Sequence, residues 1–178
     1  MVQEIFKDLK SEMKLGYLKK KHSFRYVYLA TIANGVPHQR TVVLRDVVEE
    51  QHPIIYTDAR SSKVEELKEN PFASVIMYNH KKLMQITLSG KIKMIESGDY
   101  YEDCWSRVQG SAQRNFTTEK APGTPIEKPE DVAYSDDHHF MILELVPDKI
   151  EYLHLTSPNH VRAKFSAEDN WRGEFVNP

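Results

Sequence analysis

The first apolar residues of the chain, Ile5, Phe6, Leu9 and Met13, recur at helical spacing, so an amphipathic helix is predicted within residues 1–20. The period then changes. Phe24 to Ile32 reads FRYVYLATI, dense in β-branched and aromatic side chains, and Asn34-Gly35 leads into VPHQRTVVLRDVV, which together predict a β-hairpin. Pro53 opens a short strand, IIYTD. Ser62 and Glu65, three positions apart at the start of a polar-apolar run, predict a helix begun by a capping box and stopped at Asn70-Pro71. FASVIMYN is the next strand. After Lys81-Lys82, Met84, Ile86, Leu88, Ile92 and Met94 fall on one face of a long strand, and Gln85, Thr87, Ser89, Lys91 and Lys93 on the other. Gly90 between the halves marks a bulge or bend.

Tyr101, Trp105 and Val108 predict a further helix in SGDYYEDCWSRVQ. Residues 117–137, rich in proline and without periodicity, are expected to form an irregular loop or lid. HFMILELV, KIEYLHL and HVRAKFS predict three further strands, and WRGEFVNP has room for a short terminal one. Many strands joined by short turns, with helices placed singly, point to a mainly β antiparallel barrel with accessory helices rather than a doubly wound parallel sheet. With 178 residues, one domain over 1–178 is expected.

Composition narrows the partners. A formal charge of −2 gives no basic excess, so neither nucleic acid nor a membrane is expected. Cys104 is the only cysteine, which removes intramolecular disulfides and Cys-rich zinc sites and fits a cytoplasmic location. Charges interrupt the N-terminal apolar residues, so no signal peptide or membrane span is expected there. His138-His139 and His160 lack carboxylate or cysteine partners at ligand spacing, so no metal site is expected. GxGxxG, P-loop and GxSxG motifs are absent.

Candidate chemistry gathers in YTDARSSKVEEL, where Arg60, Ser61, Ser62 and Lys63 lead into a helix. Free N–H groups at a helix start, with two hydroxyls and two cations, suit a phosphate; on spacing alone, plain N-capping by Ser62 explains the pattern as well. Arg40 and Arg45 bracket the apolar run TVVL. Their spacing of five is odd, so in a regular strand they face opposite sides. Both reach one ligand only if Arg45 lies at a strand end or bulge. Gln85, on the polar face, can donate to and accept from the edge of a heterocycle.

Taken in order, RTVVLR, YTDARSSKVEELKENP and QITLSGKI resemble the pyridoxamine 5′-phosphate oxidase family, in particular its oxidase-related subgroup with a TDxRSxK signature. The likeness runs from about Val36 to Phe116 and resumes from Lys149 to Pro178. It implies a homodimeric split β-barrel with flavin mononucleotide (FMN) at the subunit interface. Carried over by position, Arg40, Thr41, Val42, Val43, Leu44 and Arg45 match the family's RxVLLK strand, and Tyr56 and Thr57 the segment lining the flavin. Ser62 and Lys63 match the phosphate-binding turn, Gln85 the glutamine reaching the flavin, and Arg107 and Ser111 the pair holding a substrate phosphate. His160, Arg162 and Lys164 stand where the oxidases carry RxHxR. Asp103 replaces a tyrosine and Leu153 a tryptophan of those enzymes.

The implied activity is an FMN-dependent oxidoreductase that moves a hydride from a small substrate to flavin N5, with His160 and Arg162 on the catalytic side. His160 is the residue there able to shuttle a proton near neutral pH. Two alternatives remain: a non-catalytic flavin-binding module, and a split barrel carrying deazaflavin or haem.

Overall fold

The computed structural model describes residues 1–178. Helix α1 (Val2–Leu18) buries Phe6, Leu9 and Met13, the stripe its spacing predicts. It approaches closely enough that a Cβ on Gly16 would stand 2.7 Å from Phe24 Cβ. Strands β1 (Tyr26–Ala33) and β2 (Val36–Val48) form the expected hairpin, closed by Asn34 and Gly35 at φ of 51° and 75°, the paired positive dihedrals of a tight turn that matches strand twist. β3 (His52–Asp58), α2 (Ser62–Glu69), β4 (Phe72–Asn79), β5 (Met84–Ile95) and α3 (Asp99–Ser106) follow. β6 (Phe140–His154), β7 (Val161–Ser166) and β8 (Gly173–Val176) complete the chain.

The sheet runs β3-β2-β1-β4-β5-β6-β7-β8 and closes on itself through β3–β6, giving a six-stranded antiparallel barrel with β7 and β8 as an extension. Inward residues such as Val27, Leu29, Val75, Met77, Ile86 and Leu88 fill the barrel with no exposed surface. A smaller cluster lies outside the wall, where α3 sets Tyr101 and Cys104 against Ile54, Phe140 and Ile142.

Three expectations are corrected. HFMILELV and KIEYLHL are one strand of 15 residues. Pro147 is tolerated because the β5–β6 register slips between Ser89 and Gly90, whose partners are Lys149 and Pro147, leaving Asp148 as the extra residue. The bulge is therefore on β6, and the alternation of β5 runs through Gly90 unbroken. Helix α2 begins one residue earlier than the predicted box requires: Ser61, extended at ψ 148°, is the N-cap, and neither it nor Ser62 makes a side-chain cap bond. The 117–137 segment is irregular but clasped at its base by Glu119 N to Ala133 O (3.0 Å) and Ser135 N to Thr117 O (2.8 Å).

Candidate functional site

The barrel wall parts between β2 and β3. These strands pair only from Leu44↔Ile55 to Val48↔His52; beyond that, Arg40–Val43 stay with β1 while Tyr56–Asp58 go with β6. The cleft so opened has a volume of about 360 Å³ and is lined by Arg40, Thr41, Val42, Val43 and Arg45 on one side and Tyr56, Thr57, Asp58, Ser61 and Lys63 on the other. Asn115, Phe116 and Pro122 complete the lining.

The odd spacing of Arg40 and Arg45 is resolved by a β-bulge. Leu44 pairs with Ile55 and Asp46 with the adjacent Ile54, so Arg45 is the inserted residue and turns into the same cleft as Arg40. Leu44 itself is fully buried in the barrel and contributes no side chain to the cleft, because its pleat position faces the core. Ser62 is likewise absent from the lining: as the first helical residue it faces solvent, and Ser61 occupies the cleft with its Oγ 3.2 Å from Thr57 Oγ1. Arg60 turns the other way. It grips Asp58 (2.7 Å) and donates to the carbonyls of Thr118 (2.8 Å) and Glu119 (3.1 Å), which ties the long loop to the α2 turn.

Charge in the cleft is unbalanced. Arg45 takes part in no ion pair, and its buried Nε–H has no partner. Burial, with the Arg25 guanidinium nearby, pushes Arg45 below the usual arginine range. Lys63 is in no ion pair either, although Asp58 and Glu66 lie near it, and it donates to Thr57 Oγ1 at 3.0 Å. Burial, followed by the Arg40 charge, pushes its amine down. Arg40 is paired, with Nη2 2.7 Å from Glu66 Oε2. A buried cation costs free energy unless an anion joins it, so two such groups converging on one opening suit a phosphate.

The remaining expected residues lie elsewhere in the chain. Gln85, Leu153 and Arg162 form one row across β5, β6 and β7 on the outer face of the sheet. Arg162 pairs with Glu151 (2.8 Å), Lys164 approaches the same carboxylate (3.7 Å), and exposed His160 has Nδ1 3.1 Å from Thr156 O. Arg107 pairs with Asp103 (2.8 Å) beyond α3, and Ser111 is exposed in the 3₁₀ turn Gly110–Phe116. None of these lines the Arg45–Lys63 cleft. Conversely, the sequence does not single out Asp58, Asn115, Phe116, Pro122 or Glu66, most of which reach the site only through the path of the folded chain; Ser61 was legible within the Arg60–Lys63 run.

A closed six-stranded antiparallel barrel split beside a cationic cleft defines the FMN-binding split-barrel class. The family described as pyridoxamine 5′-phosphate oxidase, FMN-binding domain, matches residues 3–96, more than half of the chain, and the chain belongs to this family. Pyridoxine/pyridoxamine 5′-phosphate oxidase 2 of Arabidopsis thaliana is 31% identical over 173 residues, 86% of this chain and 87% of that protein. Among solved structures, a pyridoxamine 5′-phosphate oxidase-related, FMN-binding protein from Nostoc punctiforme PCC 73102 superposes with a TM-score of 0.80 at 24% identity, covering 97% of both chains. PhzG from Burkholderia lata 383, solved with tetrahydrophenazine-1-carboxylic acid, gives 0.78 at 19% identity over 98% of this chain and 92% of that one. At these identities the two structures bear on the fold alone. No helix of the chain is long and apolar enough to cross a membrane.

Proposed function

We propose that this chain binds FMN and acts as an FMN-dependent oxidoreductase on a small molecule. The observation that carries the reading is the buried Arg45 Nε–H without a partner, on a side chain that lines the same cleft as Lys63, whose amine is in no ion pair. Arg40, Arg45, Ser61 and Lys63 would hold the phosphate; Ser61 replaces Ser62 in this role, and Leu44 could offer only backbone. Thr41–Val43 would border the cofactor on one side and Tyr56 and Thr57 on the other. Burial, with Cys104 alongside, pushes the Tyr56 phenol up, so this side chain stays neutral. When bound, the flavin supplies a hydride acceptor at N5, and the protein's share is binding and orientation.

The reading includes a homodimer. Tyr26, Tyr28, Phe72 and Tyr78 leave 36–61% of their surface exposed on the outer face of β1 and β4, more apolar area than a solvated sheet face needs. Within one chain the row holding Gln85 and Arg162 stands apart from the cleft; a second copy offers a way to deliver it. There Gln85 would meet the ring edge, and His160 could move a proton beside Arg162. A cytoplasmic location belongs to the same reading, supported by a lone, buried cysteine.

One observation favours a flavin-binding module without turnover. Arg107, expected to hold a substrate phosphate, is already paired with Asp103. The test begins with the absorbance spectrum of the purified protein and the mass of any released chromophore. Flavin bands with a released mononucleotide support the reading, after which pyridoxamine phosphate is the first substrate to try. Deazaflavin or haem bands replace the cofactor, and a colourless protein that takes up no added FMN removes the function.

A further inference from the structure

Where β2 and β3 part, no ladder of backbone bonds sets the width of the cleft. The arginine on its β2 side and the lysine on its α2 side sit on separate elements, and β1 touches both, pairing with β2 and packing against α2. A buried polar network spans the gap. Glu66, one helical turn after Lys63, is 8% exposed, and Thr31 on β1 is 1% exposed. Thr31 Oγ1 donates to Glu66 Oε2 and accepts from Arg40 Nη1. Arg40 Nη2 reaches Glu66 Oε2 at 2.7 Å, Arg40 Nη1 the His38 carbonyl at 2.9 Å, and His38 Nδ1 lies 2.8 Å from Glu66 Oε1. These bonds use three of the five N–H donors of the guanidinium and leave Nε–H and one Nη2 proton for a ligand.

We infer that Glu66, with Thr31, is a positioning residue for the phosphate-binding cleft: it holds the Arg40 fork in place and fixes α2, with Ser61 and Lys63, at the matching distance. The inference rests on the FMN reading above and deepens it. Two effects of Glu66 oppose each other. Its negative charge repels a phosphate, so on charge alone its removal would tighten FMN binding. As a positioning residue, its removal lets the Arg40 side chain rotate among its own rotamers, and binding weakens. The sign of the change therefore separates the two.

The experiment compares FMN and riboflavin, which differ only in the phosphate, by quenching of flavin fluorescence on titration into apo-protein. Wild type, Arg40→Ala, Glu66→Gln and Thr31→Val are measured side by side. In Glu66→Gln, FMN affinity should fall about tenfold, the size of one misaligned charge-assisted hydrogen bond, while riboflavin affinity changes less than about twofold. Thr31→Val, which removes one hydroxyl at nearly constant volume, should act in the same direction and carries the test if Glu66→Gln fails to fold. Unchanged or tighter FMN binding overturns the inference, as does an equal loss for FMN and riboflavin, which a general structural role would produce. If wild type does not prefer FMN to riboflavin, the FMN reading itself falls. If it does, and Arg40→Ala erases the preference while Glu66→Gln keeps it, only the role of Glu66 falls.

Discussion

Replacing Arg45 by methionine should move stability and cofactor binding in opposite directions. The aliphatic stem and most of the volume are kept, while the guanidinium, whose buried Nε–H has no partner, is removed. Leaving such a donor unpaired costs about 1–3 kcal/mol, and the Arg25 charge adds repulsion. Against that stands the loss of the Arg45–Tyr56 cation–π contact, at 5.5 Å, which contributes about 0.5–1 kcal/mol. The apo-protein should therefore be unchanged or more stable by about 1–2 kcal/mol, a rise in Tm of roughly 2–8 °C for a chain of this size. FMN affinity should fall by about 1.5–3 kcal/mol, roughly 10- to 150-fold, because a charge-assisted hydrogen bond to phosphate is lost. Thermal unfolding of apo-protein and titration with FMN read the two effects separately. A variant whose apo-form is destabilised while FMN binding is untouched would refute the reasoning, since Arg45 would then be a packing residue.

Three further outcomes follow from named contacts. Burial alone would raise the Glu66 carboxyl, but hydrogen bonds from Thr31, His38 and Arg40, and the Arg40 charge, hold it down at about 2. Because the folded value lies below the ordinary 4.5, the stabilisation is full above about pH 4.5 and is lost as pH falls towards 2. The shift sets an upper limit of about 3 kcal/mol, and solvent at the cleft mouth reduces this to about 1–2; unfolding free energies of wild type and Glu66→Gln, from denaturant titrations, should converge by that amount on acidification. Arg60→Ala strands the Asp58 carboxylate, 2% exposed, and releases the loop carbonyls of Thr118 and Glu119, so a loss of about 3 kcal/mol and faster proteolysis within 117–137 are expected. Gly90→Ala would place a Cβ 2.1 Å from Val146 O and 2.7 Å from Pro147 Cα, both backbone atoms, so expression as a soluble protein should drop sharply; near-wild-type thermal stability would contradict the close approach at the bulge.

Much of this protein was legible in its residues, for a local reason. The α1 stripe, the Asn34-Gly35 hairpin and the alternation of Met84 to Met94 each express a period or a turn preference within a few positions, and the structure keeps all of them. The cationic content of the site was legible as well, since Arg40, Arg45 and Lys63 stand beside a strand and a helix start whatever the topology. What only the tertiary structure decided depends on partners far along the chain. Closure of β3 onto β6 joins residues some 80–90 positions apart and leaves β2 and β3 free to part, and that parting is the cleft. Nothing local to Pro147 announces that β6 continues through it, because the strand survives on a bulge set by its register with β5. The same holds for Arg45, whose side was undecided until the Leu44–Asp46 bulge turned it towards Arg40. Hydrophobic period is a property of neighbours in sequence, whereas register and bulges are settled between strands, and the site is built from the second kind of information.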